Sequence, residues 1–202
     1  GSEMCIRDRA YRCEPREIPR AVGAQYIGGL ANWERIRKHK CSYLASGGTD
    51  WNAEFRRYTQ NKENYTDSLI LLSTGYYSGL SPEEVGLPPE IWKEASGEIR
   101  KYHELTHFIY RKCYPGDIQV IRDEVLADCV GLCAAFDRYD ASLARKLLGL
   151  DNGTLRPDAR LRHYVPEDVL PQAMNEAALW IGGLEKLLSR VPDLSKRQRE
   201  SL

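Results

Sequence analysis

"KYHELTHFIYRK", residues 101–112, contains two of the chain's four histidines, His103 and His107, with Glu104 directly after the first. The flanking pattern predicts the backbone that carries them. Pro88 and Pro89 suit a helix start, and Glu90 places negative charge in its first turn. Trp92, Ala95, Ile99, His103 and Thr106 recur at helical spacing and form one inward stripe. The helix is expected to stop near Cys113, before Tyr114-Pro115-Gly116. On it His103 and His107 are i and i+4, one above the other and about 6 Å apart. Both ring nitrogens then reach one ion, and Glu104, rotated by about 100°, flanks that ion without having to bind it.

This is H-E-x-x-H on a helix, an arrangement in which two imidazoles bind zinc and the glutamate acts as base. Two surface histidines on an ordinary helix would require nothing more. A catalytic zinc requires a third protein ligand and one open position. The next segment offers it. Asp117 is placed to cap a helix after the Pro-Gly turn, and "IQVIRDEVLADCVGLCAAF" (118–136) is apolar almost all round, as in a buried helix. It nonetheless carries Glu124 and Asp128, one turn apart. Buried carboxylates are costly without a cation or donors, and an ion accounts for both. His107 lies about six residues before the first helix ends, and Glu124 about six after the second begins, each roughly 9 Å from the turn. An antiparallel return brings His107 and Glu124 level. Asp128, one turn deeper, is placed to accept a hydrogen bond from a ligand imidazole.

"HELTH" followed by "EVLAD" resembles the gluzincin branch of the zincin metallopeptidases, which includes the thermolysin-like enzymes. The resemblance covers about residues 90–136. It implies that His103, His107 and Glu124 bind one zinc ion, that Glu104 is the general base and that Asp128 supports a ligand. The sixteen residues between His107 and Glu124 are a short gap for that group. No H-x-x-G-x-x-H extension of the metzincins and no E-G-C-L-S segment of the peptide deformylases occurs.

Zinc-dependent peptide hydrolysis is the expected function, with a peptide or protein substrate. Zinc lowers the pKa of its water to about 7 and polarises a carbonyl; Glu104 takes the water's proton and passes it to the leaving amine. A donor must face the developing oxyanion, and His163 or Tyr164 in "RLRHYVPED" is the candidate. Arg160 and Arg162 could hold a substrate carboxylate, against the plainer reading of a solvated loop; His39 reads as part of a solvated basic face. Two alternatives compete: a non-catalytic or regulatory protein with the metal as a structural clip, and a zinc hydrolase of a non-peptide amide. An intact Glu104 favours an enzyme, since a clip needs no base.

The expected fold is α+β and zincin-like, mostly helical, with a small sheet preceding the active-site helix. Residues 20–38 read as an amphipathic helix, "CSYLAS" (41–46) as a short strand, the segment from Asp50 as a helix, and "DSLILLST" (67–74) as the best strand. That strand is either interior or an edge able to hold an extended peptide. Residues 75–89 read as a loop, and 166–190 as a long amphipathic helix with Ala177, Trp180, Ile181, Leu184 and Leu188 in the core. "GSEMCIRDR" (1–9) lacks a core pattern and reads as a non-native leader, leaving 10–202 as one expected domain. Lys plus Arg equals Asp plus Glu, 29 each, which argues against nucleic acid and membrane surfaces as partners. No apolar run is long enough to span a bilayer. The six cysteines lack C-x-x-C spacing; Cys129 and Cys133 read as buried free thiols, and a reducing, cytoplasmic setting is expected.

Overall fold

A computed structural model describes residues 23–151 and 153–190. The proposed leader at 1–9, Cys5, Cys13 and the charged tail after Pro192 lie outside the described residues. The chain forms two compact units, one of residues 25–71 and one of residues 72–190 with 23–24.

The first unit runs β1 (Ala24–Ala31), α1 (Trp33–Ala45), α2 (Trp51–Thr59) and β2 (Thr66–Leu72). β1 and β2 form a two-stranded sheet. Asn32 N–H donates to Tyr65 O at one end and Ser73 N–H to Gly23 O at the other, so the strands run antiparallel. Among the described residues β2 has one strand partner, β1. The helix expected over 20–38 is instead a strand followed by a helix. Gly29, at φ 72°, breaks any helix there, and the Asn32 side chain restarts one by accepting from Arg35 N–H. The strand expected at 41–46 is the last turns of α1: once begun, the helix propagates until Gly47 at φ 92° ends it. Asp50 caps α2 as expected, accepting from Ala53 N–H.

The second unit holds α3 (Pro82–Val85), α4 (Pro89–Cys113), α5 (Val120–Phe136), α6 (Ala141–Leu148), the short antiparallel pair β3 (Leu150–Asp151) and β4 (Thr154–Leu155), and α7 (Leu170–Leu188). The 75–89 stretch is more ordered than a loop: a 3-10 turn at Tyr77–Gly79 precedes α3, which Ser81 and Glu84 close with a capping box. The unit is centred on Leu80, Trp92, Ile99, Val125, Leu132, Leu147, Leu161 and Ile181. α4 presents the expected stripe, with Trp92, Ala95, Ile99 and His103 buried.

α5 departs from expectation twice. It starts at Val120 rather than beside Asp117, because Asp117 is taken by the Tyr110 hydroxyl (2.7 Å) and by Arg122 (3.1 Å). It is also not buried all round, since Val130 and Ala134 face outward. α7 starts at Leu170; Ala177 and Ile181 are core as expected, but Trp180 sits on the flank, 37% exposed, and Leu188 is half-buried.

Gly131 sets how close α4 and α5 approach. A Cβ there would lie 2.7 Å from Ile99 O and 3.1 Å from Ile99 Cα, so only hydrogen fits. The facing pairs are Ile99 with Gly131, His103 with Asp128 and His107 with Glu124. Numbers rise on one helix as they fall on the other, the antiparallel return inferred from helix lengths.

The protein is thus α+β and mostly helical, with small two-stranded sheets. Among the described residues no helix is long and apolar enough to cross a membrane.

Candidate metal centre

Each helix of the α4–α5 hairpin contributes a pair of polar side chains at i, i+4, and the two pairs meet. His103 Nε2 lies 3.0 Å from His107 Nε2 and 3.4 Å from Glu124 Oε2. His107 Nε2 lies 3.3 Å from Glu124 Oε1. The three side chains are close enough to bind one metal ion. Glu124 Oε2 is buried and has no hydrogen-bond partner. An unpaired buried acceptor is costly, and this one sits beside the imidazole nitrogens.

The electrostatics reflect the crowding. Burial alone would suppress the charged His103 ring, but hydrogen bonds to Asp128 and Glu124 outweigh it and raise the pKa to about 9. Burial would raise the Glu124 carboxyl; the imidazoles of His103 and then His107, at ion-pair distance, hold it far below the usual carboxylate range.

Asp128 lies at the rear of His103, 1% exposed. Its Oδ1 is 2.9 Å from His103 Nδ1 and accepts from the Tyr77 hydroxyl at 2.7 Å; its Oδ2 accepts from Arg160 Nη2. Burial pushes its carboxyl up and the Arg160 charge, with His103, brings it below the ordinary value. His103 is thus held by Nδ1 on one side while Nε2 faces His107 and Glu124.

Sequence reading missed Tyr77 altogether. The Tyr77 hydroxyl is 2.9 Å from His103 Nδ1 as well as touching Asp128. Its backbone N–H donates to the buried Ser96 Oγ at 3.0 Å. Arg100 and Arg160 place guanidinium groups 5.6 and 5.1 Å from its ring centre. Arg100 also donates to Ser73 O and Gly75 O, tying the loop to α4. Ser78 adopts φ 53°, a conformation that costs a non-glycine residue about 1–3 kcal/mol, and its Oγ accepts from Arg160 at 3.1 Å. Nothing in "GYYSG" separates Tyr77 from exposed Tyr76, so no sequence signal pointed to it.

The remaining candidates fall as follows. Glu104 is half-buried and makes no hydrogen bond among the described residues; Arg100, one turn earlier, is a charged neighbour. His163 is exposed on the 3-10 turn Arg160–His163 and makes no hydrogen bond among the described residues. Its neighbour Tyr164 is the inward one: burial, and then the charges of Glu124 and Asp128 against the opposing pull of Arg160, drive its phenol well up. Arg160 is not a free cation for substrate, being taken by Asp128 and Ser78. Arg162 is bound to Glu167 at 2.5 and 2.7 Å. His39 is not on a solvated face: it is half-buried, 2.6 Å from Glu54 Oε1 and stacked on Tyr58 at 3.9 Å. Cys129 is buried and Cys133 half-buried, both free; Cys133 hydrogen-bonding raises the Cys129 thiol strongly.

The site and its setting define a mostly helical α+β protein whose central helix hairpin brings two histidines and a glutamate within reach of one metal ion. The chain belongs to a family described as a family of unknown function (DUF7005), whose pattern matches residues 4–186. No curated protein and no solved structure matches it.

Proposed function

We propose that the chain is a zinc-dependent peptide hydrolase of zincin type. The observation that carries this reading is the cluster of ligand atoms: the Nε2 atoms of His103 and His107 are 3.0 Å apart, and a Glu124 carboxylate oxygen lies 3.4 Å from the first (Oε2) and 3.3 Å from the second (Oε1). Tetrahedral zinc, with bonds of about 2.0–2.2 Å, spaces its nitrogen and oxygen ligands about 3.3–3.6 Å apart; the two histidine–carboxylate distances match, and the two imidazoles would have to part by a few tenths of an ångström. The donor set of two imidazoles and a carboxylate is that of a catalytic site with one position open, and the unpartnered Glu124 Oε2 supplies the remaining acceptor.

His103, His107 and Glu124 would hold the ion. A zinc ion held there would lower the pKa of a bound water to about 7 and polarise a carbonyl oxygen. Glu104, between the two histidines in sequence and free of hydrogen-bond partners, is available to accept a proton from water and deliver it to the departing amine. Asp128 holds the His103 ring from behind. Tyr164, beside Glu124 rather than on the solvent side with His163, is the better-placed donor to a developing oxyanion. A structural clip would not need a carboxylate like Glu104 left unbonded next to the ligands.

The test is Glu104→Gln. It should retain about one zinc per chain and the melting temperature of the wild type, and lose nearly all hydrolysis of a broad peptide library. Equal inertness of wild type and variant, both zinc-loaded, would leave the structural clip as the better account.

A further inference from the structure

The Asp128 carboxylate has two oxygens and three partners. Oδ2 is occupied by Arg160, so Oδ1 alone serves both the Tyr77 hydroxyl (2.7 Å) and His103 Nδ1 (2.9 Å). The Tyr77 oxygen is itself 2.9 Å from Nδ1. His103 Nδ1, Asp128 Oδ1 and Tyr77 Oη therefore form a closed three-membered contact, with every edge of hydrogen-bond length. The guanidinium that takes Oδ2 also lies 5.1 Å from the Tyr77 ring and donates to Ser78 Oγ. Ser78 and Tyr77 are adjacent in the strained turn. The two residues that grip Asp128 are thus bonded into one unit, although they come from segments distant in sequence, before α4 and before α7.

We propose that Tyr77 and Arg160 are positioning residues that fix Asp128, and through it set the His103 ring with Nε2 turned toward the metal. The inference rests on the metal reading given above. The contact leaves one consistent pattern of protons on the Nδ1 side: Tyr77 donates to Oδ1, and Nδ1–H donates to Oδ1 and to the Tyr77 oxygen, so the proton that an ion would displace is the one on Nε2. Without Asp128 the Tyr77 hydroxyl is free to donate to Nδ1 instead, and the ring then carries its proton on Nε2, the atom required for binding. Without the Tyr77 hydroxyl, Oδ1 keeps Nδ1–H but can swing about the Arg160 contact. Groups that orient a ligand imidazole in this way are typically worth about 10- to 100-fold in metal affinity.

The experiment measures zinc affinity of the full chain by competition with a chromophoric chelator, for wild type, Tyr77→Phe, Asp128→Asn and the double variant. Tyr77→Phe removes one oxygen and keeps the ring beside the two guanidinium groups, so the metal-free variant should stay folded with a modestly lowered melting temperature, from the lost hydrogen bond to Asp128. Each single variant should weaken zinc binding by roughly 10- to 100-fold. Because Tyr77 acts through Asp128, the double variant should bind within about threefold of Asp128→Asn alone, the non-additivity of a shared interaction. Arg160→Lys, which keeps the charge but not the fork, is run through the same cycle and should behave alike. Zinc affinity of Tyr77→Phe within twofold of wild type, or losses that multiply in the double variants, would overturn the proposal. Because the readout is affinity and not hydrolysis, failure of the peptidase reading leaves the cycle intact, whereas a wild type that takes up no zinc overturns both.

Discussion

If the proposed metal site is correct, the raised pKa of His103 should make the protein's stability and its metal affinity respond to pH in opposite directions. In the protein without a bound ion, His103 titrates near 9, against about 6.5 when unfolded. The folded state holds the proton more tightly, so this group's stabilisation is complete below about pH 6.5 and is lost as pH rises through about 9. The difference of roughly two to three units corresponds to about 3 kcal/mol. Metal binding requires the neutral ring, so zinc affinity should climb roughly tenfold per unit over the same interval. The assay is a set of thermal melts from pH 6 to 9.5, with a strong chelator and with saturating zinc, beside zinc competition titrations at each pH. The chelated protein should lose melting temperature between pH 6.5 and 9, and the gap to the zinc-loaded protein should widen. His103→Ala should flatten both trends. A melting temperature of the chelated protein that holds level or rises across this interval would refute the reasoning, as would zinc affinity that does not increase with pH.

Three further outcomes are expected. Glu124→Ala should lose most bound zinc by elemental analysis, yet melt close to wild type under chelation above pH 9, where His103 no longer carries the charge that the carboxylate balances. Gly131→Ala puts a methyl 2.7 Å from Ile99 O; denaturant titration should show a loss of about 1–3 kcal/mol from overpacking, accompanied by weaker zinc binding as the helices part. Ser96→Ala leaves the buried Tyr77 N–H unpaired, which should cost about 1–3 kcal/mol and raise amide exchange at Tyr77.

The hairpin and its four polar residues were legible because each rule applied to them acts locally. Helical spacing put His103 above His107 and Glu124 above Asp128, prolines set one boundary, and the lengths set the register. The errors came where two local signals competed. At residues 20–38 the apolar spacing suits a helix, but Gly28-Gly29 and the Asn32 cap divide it, and the divided form won. At 41–46 a short apolar run reads the same in either state, and the helix already growing from Asn32 decided it. What could not be read was anything assembled from distant chain. Tyr77, Ser96, Arg160 and Asp128 meet only after folding, and no spacing rule links 77 to 160. His163 and Tyr164 illustrate the same limit at the scale of one residue: both chemistries were recognised, but which one faces inward depends on where Leu161 anchors the turn in the core.

The buried charges account for how such a site folds before it has a metal. Asp128 is matched by Arg160, which leaves the Glu124 carboxylate as the unbalanced charge between two imidazoles. A proton on His103 balances it, and the pKa near 9 keeps that proton in place at neutral pH. The hairpin therefore closes around a salt bridge and not around a bare carboxylate, whose burial would be strongly unfavourable. On the proposed reading, a divalent ion would meet three side chains already close together and would have to displace one proton, a competition that lowers its affinity. This is the opposite arrangement from small zinc-folded domains, where the ion's binding free energy is the folding free energy. Here the core around Trp92, Ile99, Leu132 and Ile181 supplies the fold, and the proposed metal site can be strained at Ser78 and partly unsatisfied at Glu124 without loss of the fold.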